Sequence, residues 1–225
     1  MFPGKGWKLS TLRAHLRSRM KLTLPGDAAH IKMAPRPRRG WTPGVLPTDA
    51  RPSAALVYLF ESNDGPHILL TKRSKELPSH PGQISLPGGT LQKAESTVSC
   101  ALRETEEEVG LDRNTPDVLG KLTPLFVPVS GFAIYPIVAI GGKPERWQPD
   151  PREVEHVLEV PLEVLAGEAC ACVEEREFDG RSFTIPYYRF QGEQIWGATA
   201  MVLAEFADLL KTEDDESDDS LPCRR

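Results

Sequence analysis

The sequence predicts an α+β domain, and three observations carry that expectation. Segments rich in Val, Ile, Leu, Phe and Tyr recur between Gly, Pro, Asn and Asp clusters, as strands between turns do. Two stretches, 96–109 and 197–211, place apolar residues at helical spacing instead. The chain has 225 residues, of which 40% are hydrophobic and 26% charged, which suits one packed domain with tails and argues against global disorder.

In chain order, residues 9–21 (LSTLRAHLRSRMK) read as a short basic amphipathic helix, with Leu9, Leu12, Leu16 and Met20 on one stripe. Such a stripe ordinarily docks on the protein's own body or on a partner subunit, a homodimer included. Residues 34–52, rich in Pro, Arg and Gly, read as an irregular arm. ALVYLF at 55–60 and HILLTKR at 67–73 are expected strands around the turn Asn63-Asp64-Gly65. Residues 78–89 form a Pro/Gly-punctuated loop with a short strand. Residues 96–109 read as a helix closed by Gly110. LGKLTPLFV at 119–127 and AIYPIVAIG at 133–141 are the next strands. VEHVLEVPL at 154–162 is strand-like and enters a short helix near 161–166. EREF at 174–177 and SFTIPYYRF at 182–190 flank the hairpin signal Asp179-Gly180. The organisation expected is a basic N-terminal helix and arm over 1–52, a globular domain over 53–211, and an acidic disordered tail over 212–225.

Charge and cysteine usage narrow the function. The net charge of −5 gives no general reason to expect nucleic-acid binding, although residues 1–52 are basic. The four cysteines show no CxxC pair and no zinc spacing, so reduced thiols in a cytoplasmic protein are expected. No apolar run reaches the length of a membrane helix.

The chemistry concentrates at residues 103–108, Arg-Glu-Thr-Glu-Glu-Glu. At about 100° per residue, with Glu104 at zero, Glu107 falls at about −60° and Glu108 at about +40°. Glu106 points to nearly the opposite side. Val98, Ala101, Leu102, Thr105 and Val109 occupy the arc from about 60° to about 160°. The three carboxylates therefore crowd beside the core stripe, where like charges repel and partial burial sharpens the repulsion. A hard divalent cation, Mg²⁺ or Mn²⁺, compensates such a cluster and suits a phosphate-containing substrate. Arg103 can steady the array by bidentate pairing. Upstream, Gly88 and Gly89 permit close backbone approach.

This region resembles the Nudix box. Gly89, Glu95 and the run from Arg103 to Leu111 are similar to the pattern G-x5-E-x7-R-E-U-x-E-E-x-G-U, where U is bulky and apolar. Thr105, at an apolar position, is the one departure. The resemblance implies the Nudix fold, a mixed β-sheet sandwiched between α-helices, and hydrolysis of nucleoside diphosphates linked to another moiety. It implies Glu104, Glu107 and Glu108 as metal ligands, with the Gly89 carbonyl contributing. Arg103 and Glu95 then hold the loop and helix in shape, and Gly88 and Gly110 complete the structural part of the box. Nudix enzymes also recruit carboxylates outside the box, so Glu153 is read as a further ligand or general base, against the plain reading of a solvated acid.

A second stretch, Leu69-Leu70-Thr71-Lys72-Arg73-Ser74 with Gly82 through Gly89, resembles the extra motif of coenzyme A pyrophosphatases. Pro78 stands where that motif has an arginine, and Leu86 where it has phenylalanine. His80, Lys72 or Lys75 would have to supply the missing cation. The resemblance implies Arg73, Ser74 and His80 as substrate-binding residues. It implies Mg²⁺-dependent cleavage of CoA or acyl-CoA to 3′,5′-ADP and (acyl-)4′-phosphopantetheine. The alternatives are a Nudix hydrolase acting on NADH, ADP-ribose or a nucleotide, and a non-catalytic nucleotide- or RNA-binding module.

Overall fold

The structure is a computed structural model that describes residues 7–165, 171–178 and 180–211. Strand β1, Arg51–Ser62, is buried without interruption from Ser53 to Phe60. A strand that is apolar on both faces has both faces covered, as central strands in helix-flanked sheets do. β1 pairs in parallel with β7, Phe132–Gly141, from Arg51 opposite Phe132 to Phe60 opposite Gly141. On its other side β1 pairs antiparallel with β2, Gly65–Arg73, through the expected turn, and with β4, Gly88–Thr90. The path continues from β2 to β3, Ile84–Ser85, and from β7 to β5, Asp117–Lys121. β6, Leu125–Val127, adds to β7, and β8, Val154–Pro161, adds to β2. The sheet is therefore mixed.

Alternation along β1 divides the core. Ala55, Val57 and Leu59 face one cluster with helix α4, Gly197–Leu210, and helix α1, Leu9–Arg19. Ala54, Leu56, Tyr58 and Phe60 face another with helix α3, Thr97–Val109, through Cys100, Ala101 and Val109. The sheet lies between helices, as expected. A second sheet of three strands, β9 (Ala171–Phe178), β10 (Arg181–Phe190) and β11 (Glu193–Trp196), runs directly into α4. β9 and β10 form the anticipated hairpin, although Asp179 lies outside the described residues, as do Cys170, Cys223 and the acidic tail.

One expectation changes. The segment 119–127 is two strands rather than one, since Pro124 lacks the N–H that a ladder needs. The basic helix expected over 9–21 is present as α1. Leu12 and Leu16 of α1, with Met33 and Ala34, are buried in the same cluster as α4, so the helix docks on the protein's own body. A short helix α2, Asp27–His30, leads into a 3-10 turn, Ile31–Met33. His30 lies 3.0 Å from the carboxylate of Glu205 on α4, and both side chains are fully buried. The same carboxylate accepts bonds from the N–H groups of Gly26 and Thr123 and from the Thr123 hydroxyl. A buried acid with this many donors is satisfied rather than stranded. Farther along, Arg36 exchanges two backbone hydrogen bonds with Thr184 of β10, which seats the arm against the second sheet.

Leu16→Ala should lower unfolding stability by about 2–5 kcal/mol, as truncation of a buried leucine does. Urea denaturation checks this, and a change within about 0.5 kcal/mol, the level of ordinary surface substitutions, would show α1 to be peripheral.

Candidate active site

The site forms where α3, the glycine segment β4 and the ends of β2 and β8 meet. α3 begins at Ser96, whose hydroxyl accepts from the Ser99 N–H, and ends at Gly110 in the left-handed region, φ +74. The Thr105 hydroxyl donates to the Ala101 carbonyl at 2.7 Å, so the departure from the apolar pattern sits in the core without an unmet polar group. The last turn of α3 is satisfied from outside. Gln148 and Asp150 donate their N–H groups to the carbonyls of Val109 and Glu108. That contact leads the chain into β8 and places Glu153 beside the helix.

β4 is laid along β1 with no space for side chains. A Cβ on Gly88 would lie 2.2 Å from the Ala54 carbonyl oxygen. A Cβ on Gly89 would lie 2.3 Å from the Glu104 carboxylate, so that carboxylate rests on bare backbone. The Gly89 carbonyl accepts a weak bond from the Cys100 thiol, whose pKa burial pushes up to about 11.

Arg103 ties the acids together. Its guanidinium reaches Glu95 at 2.8 Å, Glu104 at 2.8 Å and Glu107 at 2.9 Å. The bond from Arg103 holds the Glu95 carboxyl down at about 2. Glu104 is pushed the other way. Burial raises its pKa and the charges of Glu107 and Glu153 add to that, against the pull of Arg103. Glu107 is 56% exposed, while Glu108 is only 4% exposed. Glu108 thus lies at the core edge where the helical spacing puts it, whereas Glu107, expected beside the core stripe, stands out toward solvent.

Glu108 is the anomaly. One carboxylate oxygen, Oε2, is buried with no hydrogen-bond partner among the described residues. Burial lifts its pKa to about 8, and the charges of Glu153 and Glu104 add to the shift while Arg73 and the Gly88 N–H oppose it. A stranded oxygen of this kind costs stability unless something binds it.

The structure does not gather every expected residue into one point. Among the described residues no three acidic, histidine or cysteine side chains already form a metal cage. Glu104 and Glu107 are turned to Arg103, and Glu108 lies inward. Arg73 stands at a bulge where the ladder between β2 and β8 shifts register. Its Nε is buried without a hydrogen-bond partner. Ser74 is buried, and its hydroxyl accepts from the Glu76 N–H, which assigns it to the turn after β2. Lys72 is engaged by Glu193 at 2.6 Å. His80, with φ +55, lines the adjoining cleft. That cleft, of about 710 Å³, runs from Arg73, Gly88 and Gly89 past Phe132 and Ile134 to Phe183, Trp196 and Thr199, with Arg38 and Arg39 of the arm on its wall. The arm's part in the cleft went unread in the sequence. Its only signal is the run Arg36-Pro37-Arg38-Arg39, which reads as a solvated linker.

A family model for the NUDIX domain matches residues 50–180, more than half of the chain. The chain belongs to the Nudix family. Nudix hydrolase 15, mitochondrial, of Arabidopsis thaliana is 36% identical over 165 residues, which cover 70% of this chain and 58% of that protein. Nudix hydrolase 22, chloroplastic, of the same plant is 34% identical, over 76% of this chain and 60% of its own length. The Nudix chain described here thus spans less than two thirds of those relatives. An uncharacterized Nudix hydrolase, NudL, of Pectobacterium atrosepticum is 33% identical over 73% of this chain and 86% of its own. Among solved structures, the MutT protein of Methanosarcina mazei Go1 is 19% identical, covers 72% of this chain and 96% of its own, and has a TM-score of 0.47.

Nudix hydrolases generally use divalent metal ions, and the residues present fit one. The donors are hard oxygens, one of them is buried and unpartnered, and the Glu104 carboxylate sits over a glycine that leaves it room.

The Glu108 carboxyl binds its proton more tightly in the folded protein, at about 8, than its ordinary value of 4.5 allows in the unfolded chain. Between those values the folded state holds a proton that the unfolded state has released, so this group makes stability fall as pH rises. Glu108→Gln should therefore match the parent near pH 5 in a chelator. At pH 8 it should melt higher by several degrees or more, since a carboxyl with its pKa raised to about 8 costs folding roughly 1.4 kcal/mol per pH unit across that window. Calorimetry across pH checks this, and a gap that stays constant with pH would disprove it.

Proposed function

We propose that the chain hydrolyses the pyrophosphate bond of CoA or acyl-CoA, giving 3′,5′-ADP and (acyl-)4′-phosphopantetheine, with Mg²⁺ or Mn²⁺. The observation that carries the hydrolytic part is the stranded Glu108 oxygen beside Glu104, next to the glycine segment that lines a cleft of substrate size. The CoA part rests on the stretch from Leu69 to Gly89.

In this reading Glu104, Glu107, Glu108 and the Gly89 carbonyl hold the ion. When bound, the ion offsets negative charge developing on the phosphate oxygens and makes a coordinated water more acidic. Arg103 aims Glu104 and Glu107, and Glu95 in turn holds Arg103. Arg73, with its unpartnered Nε at the cleft edge, binds a phosphate oxygen of the anhydride. Glu153, exposed but close enough for its charge to act on both Glu104 and Glu108, accepts the proton of the attacking water. Ser74 shapes the turn that presents Arg73, and His80 closes the cleft wall.

One observation favours a second substrate reading, a different nucleoside diphosphate derivative such as NADH or ADP-ribose. Pro78 replaces the expected cation, and Lys72 is already paired with Glu193. The substrate is a small molecule in either case. The apolar stripe of α1 is occupied by the protein's own core, so a homodimer needs another face. Cys100 and Cys172 are free thiols, which suits a reducing compartment such as the cytoplasm. No helix among the described residues is long and apolar enough to cross a membrane.

A screen of purified protein with Mg²⁺ or Mn²⁺ against CoA, acyl-CoA, NADH and ADP-ribose tests the reading. CoA or an acyl-CoA should show the highest kcat/KM, and equal turnover of all four would overturn the assignment. Glu107→Gln should lower turnover at least ~100-fold with folding retained, in line with losing a main electrostatic element. Unchanged turnover would remove Glu107 from the ligand set.

A further inference from the structure

The arm supplies a cation that the proposed hydrolysis leaves without a task. Arg38 is half-buried on the cleft wall. Its guanidinium lies over the Trp41 ring, 5.3 Å from the ring centre. Its one hydrogen bond is a long contact to the Phe126 carbonyl at 3.5 Å. Its Nε is buried with no hydrogen-bond partner among the described residues. Among the described residues no acid pairs with it, and burial lowers its pKa to about 10. A desolvated guanidinium without a counterion is costly where it stands, and a bound anion removes that cost. Arg39, exposed on the same wall, adds to the positive field.

The topology separates this cation from the anhydride end. Arg73 ends β2, whereas the Arg38 contact is on β6, beyond β1 and β7. Three strand spacings amount to about 14 Å between backbones. The Arg73 charge acts on Glu108 at the box helix, while the Arg38 guanidinium is held at the Phe126 carbonyl of β6, so the two cations serve different parts of the cleft. The wall between them is largely apolar, with Ile134, Phe132 and Trp196.

We infer that Arg38 is a specificity-determining residue that binds a second phosphate, a phosphomonoester carried on the nucleoside of the substrate and remote from the bond that is cut. This rests on the cleft being the pyrophosphate site proposed above, and it deepens that reading by stating what the far end of the cleft recognises. Substrates with a phosphorylated ribose are preferred over the same molecules without that phosphate.

Two measurements on the full chain test it. In the first, KM is compared for CoA and dephospho-CoA, and for NADPH and NADH. A charge-assisted bond to phosphate should favour the phosphorylated member about tenfold or more, and Arg38→Gln should collapse that ratio to about one. In the second, calorimetry without turnover compares binding of 3′,5′-ADP, 5′-AMP and inorganic phosphate. The parent should prefer 3′,5′-ADP, and Arg38→Gln should lose the preference. Arg38→Lys, which keeps the charge but not the fork, should retain part of it and serves if the glutamine variant does not fold. A ratio that Arg38→Gln leaves in place, whether both ligands weaken together or neither does, would overturn the inference. So would a parent that binds 3′,5′-ADP and 5′-AMP equally. If CoA is not cleaved while the 3′,5′-ADP preference exists and depends on Arg38, the phosphate assignment stands and the CoA assignment falls.

Discussion

A carboxylate that is buried without a hydrogen bond for one of its oxygens is the constraint around which this molecule is arranged. Glu108 sits on α3 with that oxygen facing inward, near the charges of Glu104 and Glu153. Nothing in the helix itself favours this, since neighbouring like charges raise the free energy of the ionised state. The surrounding structure holds the arrangement by other means. The serine cap, the left-handed Gly110 and the bonds from Gln148 and Asp150 fix both ends of α3. Arg103 meanwhile neutralises the outer acids. The helix is thus kept in place by contacts that do not use the inward oxygen, which leaves it available to a ligand.

The box helix was legible because helical geometry is rigid. With a fixed angle per residue, spacing alone put the acids beside the core stripe, which holds for Glu108 but not for Glu107, whose side chain reaches out to Arg103 and solvent. The apolar runs of β1 and β7 were legible for a similar reason, as was the hairpin before β2. Their parallel pairing was not, because it joins segments far apart in the chain and no local pattern records it. Pro124 was visible in the sequence, yet the apolar residues on either side of it read as one strand. The bulge that sets Arg73 depends on how β8 meets β2, and that is a tertiary matter.

The arm shows a different limit. Its composition, rich in Pro, Arg and Gly, matches that of a solvated linker. What orders it lies elsewhere in the chain, in Glu205 beneath His30 and Thr184 beside Arg36. A buried glutamate on α4 has no meaning in a one-dimensional reading, where it looks like an interruption of an apolar face. Arg38 took its place on the cleft wall only once those anchors were known. One side of the candidate site is therefore built by residues that precede the matched family region, which begins at residue 50.

The parallel ladder between Arg51–Phe60 and Phe132–Gly141 has a consequence for how the molecule comes into being. A chain emerging from the ribosome exposes β1 and the whole of α3 well before β7 has been made. Until then the inner edge of β1 has no neighbour, and the loop that must close is long and slow to organise. The acids are thus synthesised ahead of the sheet that later confines them. During that interval they remain hydrated, and the burial that sharpens their mutual repulsion waits until β7 and the later strands close the sheet over them.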